Sequence, residues 1–194
     1  GFTIQNAGLG VYPVWGIVLD RCNGNTVYKN TITSNVFGGV LLNESSGNMI
    51  INNQVLNNRG GLPGLLYGVG IALEHSNSNL IGDNLISDNV VNGIGISSSY
   101  GNIVANNTFT KDAGGLFLIS SSGNVICDNT FASDGGSIDI RYSTKNMIRC
   151  NQLFNSGGIG VWESKMNVIT ENIIAENMIG INIAHRSPNN TFVG

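Results

Sequence analysis

Apolar residues in this chain recur in pairs spaced two apart, and the pairs themselves return at a near-constant interval. The pairs are Ile17/Leu19, Val40/Leu42, Ile71/Leu73, Ile94/Ile96, Leu116/Leu118, Ile138/Ile140, Ile159/Val161 and Ile181/Ile183. Between the members of each pair lies a mixed column, Val18, Leu41, Ala72, Gly95, Phe117, Asp139, Gly160 and Asn182. This is strand alternation, with one face inward and one outward. A second apolar column holds Val27, Ile50, Ile81, Val104, Ile126, Ile148, Ile169 and Phe192, and a third runs from Ile32 through Phe109 and Phe131 to Ile174. Each repeat therefore predicts three short strands.

Asparagine marks the boundaries between these strands. The leading residues, Asn25, Asn48, Asn79, Asn102, Asn124, Asn146, Asn167 and Asn190, are 21 to 23 residues apart with one step of 31. A period of this size indicates a solenoid, in which equivalent positions stack coil upon coil. Asn tolerates left-handed backbone and hydrogen-bonds locally, so these residues are expected at the corners, with their amides bonding from one coil to the next. The GFTIQN opening, the GIxL strands and the NxIxxNxIxxN corners resemble NosD-like and CASH-type repeats of the pectin-lyase-like superfamily. The resemblance implies an all-β, single-stranded, right-handed parallel β-helix of about eight coils, spanning residues 1–194 as one domain. It carries little about activity, because the matching positions are core and corner residues.

Composition narrows the partners. Charged residues make up 11% of the chain and the net charge is −3, so no basic stripe is available for a phosphate backbone and nucleic acid is not an expected partner. No apolar run reaches the roughly 20 residues of a membrane helix, and the location expected is secreted or cell-surface. Cys22, Cys127 and Cys150 show no CxxC spacing, and His75 and His185 are far apart; no cofactor and no metal site is expected.

Two outward patches carry candidate chemistry. The first lies beside two insertions, residues 8–15 and 59–67, where Tyr12, Trp15 and Tyr67 would form one groove wall and Asp20, Glu44, Glu74 and His75 the other. Glu44 and His75 fall in one column of neighbouring coils, a potential acid/base pair. The second comprises Phe117, Asp139, Arg141, Tyr142, Trp162 and Glu163. Trp beside Arg and carboxylates suits a sugar-stacking platform, and a plain cation–π contact would give the same pattern. Asp139 and Glu163 are the nearby carboxylate pair that a glycoside hydrolase would use. The expected function is a structural or carbohydrate-interacting surface module, able to stack head to tail with copies of itself. The alternative is a polysaccharide lyase, epimerase or glycoside hydrolase acting on the first-strand face, with Asp139, Arg141, Glu163, Glu44 and His75 as its candidates.

Overall fold

The structure, a computed structural model, describes residues 1–8, 14–59, 68–133 and 135–194. Three parallel sheets of eight strands each run the length of a right-handed β-helix. Six coils, with first strands from Trp15–Asp20 to Ile138–Arg141, and a seventh beginning at Ile159–Trp162 each give one strand to every sheet; the eighth supplies Ile181–Ala184 and Thr191–Val193. Thr3–Gln5 pairs in register with Thr31–Thr33 and so lies in the third-strand column.

The period-two pattern fixes the faces. Val40, Ile71, Ile94, Leu116, Ile138 and Ile159 stack in register on the inner side of the first sheet and meet the inward columns of the other two in one continuous core. In the third column Phe109 and Phe131 stack face to face, with centroids 4.4 Å apart and planes 11° off parallel. Burial of these side chains is the main stabilising term, at about 25 cal/mol per Å² of apolar surface.

The asparagines form ladders inside the corners. The N–H and Nδ2 of Asn102 both donate to Oδ1 of Asn124, at 2.9 and 3.0 Å, and Asn124 repeats this toward Asn146 at 2.9 and 3.0 Å. Every ladder has this direction, with donors in one coil and the acceptor in the next. Nearly all interior members are buried, so the ladders satisfy corner amides that water cannot reach.

The left-handed backbone expected at these asparagines belongs instead to the residue before each of them. Gly24, Gly47, Ser78, Gly101, Gly123, Lys145, Met166 and Asn189 all have φ near +60°, between 54° and 69°. That residue turns the chain, and the Asn behind it aims its amide at the next coil along the helix axis. The corner after the first strand follows the same plan with serine: the N–H of Ser76 donates to Ser99 Oγ at 2.9 Å, and the series continues through Ser121, Ser143 and Ser164 to Ser187.

All three cysteines are free thiols: Cys22 exposed, Cys150 partly buried and Cys127 buried. Burial, reinforced by Asp128, pushes the Cys127 thiol above its usual range.

Candidate functional site

The groove expected near the insertions is altered by Trp15. This ring is 7% exposed and packs with Val69 and Ala72 in a second apolar cluster, flanked by Phe37, Leu41 and Val91. It lies against Gly38, where a Cβ would come within 2.2 Å of the indole. Trp15 is therefore packed down onto the outer face of the first sheet and presents no open wall. Tyr12 and Tyr67 lie outside the described residues. On the opposite corner Glu44 pairs with Arg21 (3.1 Å) in the coil before it. Glu44 and His75 occupy equivalent left-handed positions, with φ of 47° and 49°, and Glu74 ends the preceding strand, half-buried.

The second patch is assembled as the columns imply. Ile119, Arg141, Trp162 and Ala184 are Cα partners across coils five to eight, as are Phe117, Asp139, Gly160 and Asn182. The Arg141 guanidinium lies 5.4 Å from the Phe117 ring centroid and 5.9 Å from that of Trp162. Trp162 in turn stacks on His185 at 5.2 Å. The result is a continuous column of planar groups, Phe117–Arg141–Trp162–His185, running along the helix axis through four coils.

Beside it Arg141 donates from Nε and Nη2 to one carboxylate oxygen, Asp139 Oδ2, at 2.9 and 2.6 Å. The Asp139 hydrogen bond raises the Arg141 pKa, which stays fully charged. The other oxygen, Asp139 Oδ1, is buried with no hydrogen-bond partner. A groove of about 200 Å³ opens here, lined by Asp139, Arg141, Trp162 and Asn182 over a floor that includes Gly136, Gly158 and Gly160. Tyr142 and Glu163 are both exposed left-handed corner residues at its edge, with φ of 51° and 47°.

His185 was not among the expected site residues. Its signal was present, since it follows the strand position paired with Trp162 and so stands one coil above it at the same corner. Chemically, the patch offers aromatic edges, a carboxylate held by Arg141 through one oxygen and an exposed imidazole. Asp139 and Glu163 are the carboxylates at hand for hydrolysis, but one oxygen of Asp139 is already held by Arg141.

Solved structures share this architecture. The periplasmic alginate epimerase AlgG superposes with a TM-score of 0.65 at 16% identity, over 88% of this chain and 46% of its own. The lidless DFA-IIIase from Arthrobacter chlorophenolicus A6 gives 0.66 at 14% identity, covering 92% and 50%. An alginate lyase from Paenibacillus sp. str. FPU-7 gives 0.63 at 10% identity, covering 97% and 78%. The chain thus spans about half the length of the first two. No curated protein matches it in sequence.

Residues 3–62 and 66–194 match the family described as periplasmic copper-binding protein (NosD). Among the described residues no three of His, Cys, Asp and Glu converge. Met49 and Met147 sit four coils apart on the outer face of the second sheet, 38% and 39% exposed. The match extends over nearly the whole length, and the chain belongs to the NosD family.

Proposed function

We propose that this protein is carbohydrate-active and takes a polysaccharide along the first-strand face of coils five to eight. The observation that carries the reading is the Phe117–Arg141–Trp162–His185 column beside the Asp139 groove. Planar groups repeating once per coil, with centres 5.2 to 5.9 Å apart, lie face on face along the axis and present their edges outward, a ridge against which sugar rings can pack. Polar groups at the column's edge can orient hydroxyls. The family's description as periplasmic places the protein outside the cytoplasm. Among the described residues no helix is long and apolar enough to cross a membrane.

Two roles use this face. An enzyme is favoured by the architecture shared with a polysaccharide epimerase and a polysaccharide lyase, and His185, Tyr142 and Glu163 are the groups that would move protons. A binding or structural module needs only the stacking column, which copies of the chain stacked head to tail would repeat once per copy. Titrating the protein with a panel of neutral and acidic oligosaccharides, then following polymer length and stereochemistry by NMR, separates the roles. Trp162→Ala is expected to weaken saccharide binding about tenfold, the scale of losing one aromatic stacking contact, without altering the β-sheet circular dichroism. Turnover lost in His185→Ala with binding retained marks an enzyme; binding without turnover marks a module. Saccharide binding indifferent to Trp162 would refute the site.

A further inference from the structure

We infer that the outer face of the second sheet is a lateral interface, through which two copies of this chain pair side by side with their helix axes parallel. In the leading outward column of that face Met49, Leu80, Ile103, Val125, Met147 and Val168 are Cα partners from coil two to coil seven. None of them is buried, and Met49, Ile103 and Met147 are 38%, 43% and 39% exposed. At one strand spacing per coil the strip is about 24 Å long. Ile51, Gly82 and Ala105 extend it sideways in the neighbouring outward column.

Strand propensity alone does not call for this composition. The third sheet is built from strands of the same length, and its leading outward column reads Thr31, Gln54, Leu85, Thr108, Thr130 and Gln152. Threonine suits an outward strand position as well as valine or isoleucine does. The apolar strip on the second sheet therefore has another reason, and a contiguous apolar surface on one side of a molecule marks a contact.

The charges beside the strip say what covers it. In the three residues ahead of each second-sheet strand the only charges are Lys145 and Lys165, in coils six and seven. Directly after these strands come Lys29 in coil one and then Asp83, Asp128 and Glu171 in coils three, five and seven. Arg149, the one charge on the face itself, leans to this second rim at Cys150, 3.8 Å away, and leaves the rim net negative from coil three onward. A strip with a basic rim on one side and an acidic rim on the other is complementary to itself. A two-fold parallel to the helix axis sets each coil against the same coil of the other copy and exchanges the rims, so Glu171 of each meets Lys165 of the other. A two-fold across the axis sets each rim against its own kind and leaves both lysines facing no carboxylate. The eight-strand face measures roughly 34 by 10 Å, less than the ~800 Å² per partner of a tight complex, so the pair is reversible. The Phe117–Arg141–Trp162–His185 column belongs to the first-sheet side and stays open in both copies.

Sedimentation equilibrium of the 194-residue chain tests this. The mass is expected to rise from 20.5 kDa at about 1 µM toward twice that value at about 1 mM, with no larger species, as a dissociation constant of about 100 µM requires. Ile103→Glu puts an unpaired charge in the middle of the strip and is expected to weaken the dimer at least about tenfold, with unchanged circular dichroism. Lys165→Glu and Glu171→Lys are each expected to weaken it about fivefold, through the two symmetry-related rim pairs, and the double reversal to restore it. That restoration decides the matter should Ile103→Glu misfold. A monomer at every concentration, a dimer indifferent to Ile103→Glu, or a double reversal no better than either single change would overturn the interface. Growth beyond the dimer would assign association to the helix ends and overturn it too. None of these measurements involves a saccharide, so the interface and the saccharide reading stand or fall separately.

Discussion

At the scale of single residues, the buried amides carry more of the fold than their size suggests. Asn107 accepts from the N–H and Nδ2 of Asn84 at 3.0 and 2.9 Å, and its own Nδ2 reaches Ile81 O, Ala105 O and Asn129 Oδ1. Asn107→Ala strands the buried Asn84 N–H and the Ile81 carbonyl together. The expected cost is on the order of 2–4 kcal/mol, read as a drop in urea midpoint with unchanged slope. Asn35, Asn58 and Asn89 were legible as corner residues from their spacing. The left-handed residue that precedes this column was not, because the position passes from Ser34, Asn57 and Asp88 to Lys111 and so keeps no single side-chain type. Only the glycines in the leading column gave that position away. The serine ladder was written just as regularly, at Ser76, Ser99, Ser121 and Ser143, but serine is common in loops and its repetition carries less signal than asparagine's.

At the scale of the strand and its sheet, inward and outward faces follow from period-two alternation, and the inward faces matched from coil one to coil seven. The outward faces did not all stay outward. Ala72 lies in the mixed column of the first sheet yet is fully buried, because Trp15, Phe37 and Val91 pack over it. An aromatic ring near a loop reads equally well as a groove wall or as a cover, and only the close approach of Trp15 to Gly38 decides which. Trp15→Ala is expected to cost about 3 kcal/mol through the lost burial and the gap left behind, with a shift in thermal midpoint and no change in binding at Trp162. The column formed by Arg141 and Trp162 was legible from register alone. What register could not give was how Arg141 divides its fork, since Nε and Nη2 both go to one oxygen of Asp139.

Over the whole molecule, stability is a sum of coil-to-coil interfaces, and it is unequal along the axis. Coils three to five have first strands whose inward residues are almost wholly buried, such as Ile71, Ile94 and Leu116. In the eighth, Ile181 and Ile183 are 40% and 48% exposed and Val193 is 58% exposed. Hydrogen exchange of this chain is therefore expected to run as a gradient, with amides of 181–193 exchanging at least about tenfold faster than those of 94–118, since the side chains there are already half-exposed and local opening uncovers less apolar surface. Uniform protection from end to end would contradict a nearest-neighbour solenoid.

The step between ladder asparagines also bears on how such a chain changes length. From Asn48 to Asn79 it is 31 residues and from Asn146 to Asn167 it is 21, yet the rungs measure 2.8 and 2.9 Å. The extra residues between Asn48 and Asn79 enter ahead of the first strand and leave the sheets on either side in register. That corner is a port at which new sequence can be acquired without renegotiating the core. Lineages sharing this scaffold are free to diversify there, rim by rim, while the ladders hold the frame constant.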